Sequence, residues 1–144
     1  MRADLIEQNT MKYFRNKPTA ISQLISVVAS GVTAAINIAS GTYVTKVGIW
    51  ATTPVDASND TGMDVGDGDR PDRYIDGMTT MATNDIIFGP TVVTATLYAQ
   101  SPHLRTDEVH GHYYDGPDTI DFKTTGSLAG AGTIRVMAWY YVDE

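Results

Sequence analysis

Cysteine is absent from the 144 residues. No disulfide can form, no thiolate can hold a metal, and cysteine-based catalysis is excluded. Basic side chains are scarce: 10 Lys and Arg stand against 17 Asp and Glu, a formal net charge of −7. Phosphate binding needs a basic face, so nucleic acid is not an expected partner. Long apolar runs are also missing. The longest weakly polar stretch, Ile21 to Gly41, is interrupted by Ser, Thr, Asn and Gly and is too polar and β-branched to span a bilayer. The opening run Met1 to Gln8 has no apolar h-region, so neither a secretory signal nor a membrane partner is expected. Glutamate occurs only as Glu7, Glu108 and Glu144, so a paired-carboxylate glycosidase would need two Asp. No G-x-S-x-G elbow and no G-x-x-x-x-G-K-[ST] loop is present. The composition therefore predicts a protein that binds rather than one that catalyses.

What is present is β signal. From Ile21 onward Thr, Val, Ile, Ala and Tyr are abundant, and Gly or Asn-Asp pairs punctuate at short spacing. The pattern predicts an all-β fold, an antiparallel sandwich of seven to nine short strands. Val32 to Ile38 and Tyr43 to Trp50 read as a hairpin turned at Ser40-Gly41. Pro90 to Ala99 reads as a strand, and Thr119 to Lys123 as another with Ile120 and Phe122 on one face. The last strand puts Ile134, Val136, Ala138, Tyr140 and Val142 on one side and Thr133, Arg135, Met137, Trp139 and Tyr141 on the other. Both sides are apolar, whereas a sheet with one wet face alternates cleanly. Met137, Trp139 and Tyr141 are therefore expected to be covered, by another part of the chain or by a second subunit.

Residues 1–18 read as an extended arm ahead of a sandwich at 19–144, ending at Pro18. Charge divides the chain similarly. Residues 1–50 carry five basic and two acidic side chains, the remainder five basic and fifteen acidic. A basic leading segment can dock on an acidic neighbour, including another copy of this chain, or can simply be solvated. The arm residues Met11, Tyr13, Phe14, Arg15 and Lys17 are its candidate contacts.

Two segments could hold a metal. Asp56 to Asp76 carries seven Asp with Arg70 and Arg73, and Asp64, Asp67 and Asp69 resemble part of a calcium loop. The EF-hand spacing and its twelfth-position Glu are missing. The competing reading is a long polar excursion between strands, stapled by Asp–Arg pairs. His110 and His112 sit two apart, so on a strand they share a face, with His103, Asp107 or Asp115 to complete a set. This H-x-H resembles an element of cupin metal sites, without the downstream Glu and His. The competing reading is edge-strand or trimer-axis histidines. No cofactor is expected, with Ca2+ or another divalent ion as the alternative.

Gly41-Thr42-Tyr43-Val44-Thr45-Lys46-Val47-Gly48-Ile49-Trp50-Ala51-Thr52-Thr53, then Val65 to Gly77, Tyr114, Asp118 to Asp121 and Ala129 to Val136, resemble in their order small β-sandwich proteins of phage virions. The resemblance covers about residues 30–142. It implies a jelly-roll-like or Ig-like sandwich that oligomerises, often as a trimer, on a particle surface, with the arm as a tether. The implied role is capsid decoration, or cement, with the major capsid protein as partner, in a virion assembled in the host cytoplasm. The alternative is a tail, baseplate or fibre-tip module, in which the Asp56–Asp76 excursion and Tyr113-Tyr114 would meet a host receptor or glycan.

Overall fold

A computed structural model describes residues 17–57, 62–89, 91–92, 111–126 and 128–143. These hold thirteen strands and no helix: β1 (Ala20–Ile21), β2 (Ile25–Ser26), β3 (Gly31–Ile38), β4 (Thr42–Ala51), β5 (Val55–Asp56), β6 (Gly62–Gly66), β7 (Ile75–Met78), β8 (Thr80–Met81), β9 (Ile86–Gly89), β10 (Thr91–Val92), β11 (His112–Tyr114), β12 (Asp118–Thr125) and β13 (Thr133–Val142). The front sheet has β13 and β4 at its centre. β1 and β2 share the free side of β13, and β9 and β11 share the free side of β4. The back sheet runs β10-β7-β6-β12-β3. Six strands thus fill four positions over five, an all-β sandwich as the alternation predicts. Pairing is antiparallel except between β10 and β7.

Periodicity places the core. Val44, Val47 and Ile49 on β4, and Ile134, Val136 and Ala138 on β13, point inward from the front sheet. Met63, Val65, Ile75, Met78, Ile120, Phe122, Ile36 and Ile38 meet them from the back sheet. Side chains of this size each gain about 1.5–3 kcal/mol from full burial. Ile120 and Phe122 share a face as expected.

Two expectations are corrected. β3 and β4 do not form a hairpin. β3 pairs with β12 in the back sheet and β4 with β13 in the front sheet. The chain changes sheet at Ser40-Gly41, where Gly41 has φ +83°. The turn is held because Gly41 N–H donates to Tyr114 O and Asp143 N–H donates to Gly41 O. Nor is Asp56–Asp76 a loop throughout: it contains β6, paired on both sides by β7 and β12. The arm residues Met11, Tyr13, Phe14 and Arg15, most of the expected strand at Pro90–Ala99, and His103, Asp107 and His110 lie outside the described residues.

Candidate functional site

The outer face of the front sheet is where aromatic side chains collect. Strand order and register put Trp50, Lys46 and Tyr43 of β4 beside Arg135, Trp139 and Tyr141 of β13, and Tyr113 of β11 beside Tyr43. One half of this face is sealed. Trp50, Met137 and Trp139 are buried together, with Ile21, Ile86 and Phe88 packed on them. Phe88 meets Trp139 edge-on at 5.7 Å, and the Lys46 ammonium lies 4.6 and 4.4 Å from their ring centroids. Such cation–π contacts contribute roughly 0.5–1 kcal/mol each at open sites. Met137 and Trp139 are thus part of a second core, covered from within the chain, which is one of the two covers expected for them, whereas Tyr141 stays exposed.

The other half is open. Tyr43 and Tyr141 stack at 5.5 Å and 23°, and Tyr141 and Tyr113 are 60% and 48% exposed. Val142 is also exposed. A β-bulge between Trp139 and Tyr140 marks where the sealed half gives way to the open one.

A second constellation joins the two sheets. Asp67 follows β6, and its side chain is buried. Its Oδ1 accepts the backbone N–H of Asp69 and Arg70 at 3.1 and 2.8 Å. Its Oδ2 accepts Arg73 Nε–H and, at 2.7 Å, the Tyr114 hydroxyl. Tyr74 and Tyr114 hydroxyls lie 2.7 Å apart. Arg73 Nη1 approaches His112 Nδ1 at 3.2 Å, and the His112 ring stands edge-on to Tyr114 at 4.6 Å. Asp67, Arg73 and Tyr74 come from the β6–β7 connection of the back sheet, His112 and Tyr114 from β11 of the front sheet. The cluster is therefore a polar clamp between sheets. Beside it lies a groove of about 390 Å³ bordered by Asp69, His112, Tyr113, Asp115 and Asp118.

No family model matches the chain. Nor does a curated protein. Among solved structures, a chain in the Cyanophage Pam1 capsid asymmetric unit is similar, with a TM-score of 0.55 and 14% identity over 86% of this chain and 84% of that one. The likeness is one of fold.

The described metal candidates Asp64, Asp67 and His112 have protein partners. Asp67 is committed to Arg73, Tyr114 and two backbone amides. Asp64 accepts the Gly77 N–H at 2.8 Å on β6. His112 faces the Arg73 guanidinium. Among the described residues no three His, Asp or Glu side chains converge as a metal site. Asp64 and Asp67 thus serve backbone and guanidinium donors. Tyr114 is buried and so does not belong to an outward-facing tyrosine pair. Of the expected Asp–Arg staples, Arg70–Asp72 is a loose, half-buried pair at 3.9 Å, and Arg73–Asp67 is buried.

Burial raises the Asp67 carboxyl, but the Tyr114 hydroxyl, the Arg70 N–H and Arg73 outweigh it and hold the group below its ordinary 3.8. Tyr114 is pushed upward by burial first, then by Tyr74 and Asp67. Asp64 and Asp121, on the outer face of the back sheet, are raised by burial and by neighbouring carboxyls, Asp76 and Asp72 for the first, Asp118 and Asp67 for the second. Above 3.8 the folded chain then holds protons that the unfolded chain has released. Stability at these two groups falls as pH rises through that window. Asp121→Asn keeps the acceptor for the Thr119 hydroxyl. It is expected to raise the melting temperature slightly at pH 7 and leave it unchanged at pH 3, read by circular dichroism.

Proposed function

We propose that this chain is a structural virion protein, a capsid decoration protein that binds across capsid subunits and stabilises the phage head. The observation that carries this reading is the sandwich it shares, over most of both chains, with a chain of a cyanophage capsid asymmetric unit. The open tyrosine row supports it, because Tyr supplies large contact area at low entropic cost and is enriched at protein interfaces. The mechanism is adhesion. Each copy adds a modest contact, and repetition over the lattice multiplies it. No catalytic step is assigned. The partners are the major capsid protein and further copies of this chain, and the place of action is the virion. Lys17 is exposed at the start of the described chain and, with Met11, Tyr13, Phe14 and Arg15, forms the proposed tether.

Phage heads lacking the protein are expected to release their DNA at a lower temperature than complete heads, measured by dye binding to released DNA during a thermal ramp. Adding back purified protein restores the higher temperature, and Tyr113→Ala/Tyr141→Ala restores less. Unchanged release after removal would overturn the reading. Gel densitometry against the major capsid protein gives a second check: a decoration protein approaches its copy number, a tail module does not.

A further inference from the structure

The two outer faces of the sandwich carry opposite charge. Among the described residues, those pointing outward from the front sheet include Tyr43, Lys46, Gly48 and Trp50 of β4, Arg135, Met137, Trp139 and Tyr141 of β13, Tyr113 of β11, Ile21 of β1, and Ile86 and Phe88 of β9. These include two cations and no carboxylate, in a chain of net charge −7. Asp115 and Asp143 stand in the turns past the strand ends. On the back sheet, Asp64 of β6, Asp76 of β7, and Asp121 and Lys123 of β12 point outward, since Val65, Ile75, Ile120 and Phe122 between them fill the core. Among the described strand residues that face holds three acids and one base.

We propose that copies of this chain stack sheet on sheet, the open tyrosine end of one front face seated on the acidic back face of the next. The inference goes beyond capsid binding, since it requires only this chain. Tyr113 and Tyr141 supply exposed apolar area and hydroxyl donors. Lys46 supplies the cation. Asp64 and Asp121 supply the acceptors, in a face where Asp64, Asp76 and Asp121 outnumber Lys123. A front-to-front contact would place Lys46 and Arg135 against their own copies, and a back-to-back contact would oppose the carboxylates. Only front-to-back matches unlike charges. Such a contact is heterologous and closes into a ring or continues as an array, according to its rotation.

The test is sedimentation velocity of the full chain over a concentration series. The wild type is expected to self-associate, less at 1 M than at 0.1 M salt, where the Debye length is about 3 rather than about 10 Å. Tyr141→Asp spoils the front face and Asp121→Lys the back face, so each alone is expected to sediment as a monomer. Mixed in equal amounts they should form a dimer and stop, because the first retains an intact back face and the second an intact front face. A monomeric wild type, a mixture that stays monomeric, or an Asp121→Lys chain that associates like wild type overturns the proposal. Should Asp121→Lys not fold, Lys123→Glu carries the same test with opposite sign. Association should tighten several-fold, and no change or weakening overturns it. These readouts use free protein, so their failure leaves binding to phage heads standing.

Discussion

Asp67→Ala is expected to lower the unfolding free energy by about 3–5 kcal/mol, the usual cost of removing one partner from a buried ion pair. The Asp67 and Arg73 side chains are only 1% and 8% exposed, so water cannot replace the lost carboxylate at the guanidinium. The Tyr114 hydroxyl and two backbone amides lose their acceptor at the same time. For a chain of this length the melting temperature should fall by roughly 10–15 °C. Tyr114→Phe, which removes one donor and keeps the ring, is expected to cost about 1–3 kcal/mol. pH gives an independent check. The folded carboxyl lies below its unfolded value of 3.8, so its stabilisation is complete above that value and is lost as pH falls through the folded one. The gap between wild type and Asp67→Ala in guanidinium unfolding should therefore narrow toward pH 2. A gap of the same size at pH 2 and pH 7 would mean that the carboxylate is not what holds the clamp.

Trp50→Ala is expected to cost about 3–5 kcal/mol, the range for deleting a buried aromatic ring. Trp50 is 1% exposed, although it sits on the outside of the sandwich. It packs with Met137 and Trp139, and its Nε1–H donates to Asn84 Oδ1 at 3.3 Å in the turn before β9. Deleting it should uncouple β9 and β1 from the front sheet as well as leave a void. Tyr141→Ala, on the same face but 60% exposed, is expected to change stability by no more than about 0.5 kcal/mol. Chemical denaturation of both variants checks the contrast. Equal losses would mean that the sealed and open halves are one structural unit.

The sequence made the long strands β3, β4, β12 and β13 legible, missed shorter ones such as β6, β7 and β9, and left the pairings hidden. Alternation on β12 and β13 was strong enough to put Ile120, Phe122, Ile134, Val136 and Ala138 in the core. The double apolar character of β13 correctly signalled a covered outer face, but not that Trp50, Ile86 and Phe88 would join in burying Met137 and Trp139. Periodicity says which side a residue takes and nothing about which strand lies next to it. That is why Ser40-Gly41 reads as a hairpin while the chain there passes between sheets. The clamp was harder still. Asp67 and Tyr114 are 47 positions apart, and Asp67 sits among Asp and Gly residues that have the composition of any surface turn. The available signal was Arg73-Tyr74 following Asp67 so closely: an Arg and a large ring near a carboxylate are suited to a buried pair.

β13 lies between β1/β2 and β4, so residue 20 pairs with residue 138 and residue 51 with residue 134. The front sheet therefore has no middle until its last strand has left the ribosome. Until then, among the described strands, β4 can recruit only β9 and β11, and the apolar faces of both sheets stay uncovered. Loops of such length must close before their contacts stabilise anything, which makes folding slow compared with a helical bundle of this size. The ten residues of β13 thus complete both the front sheet and the cover over the core.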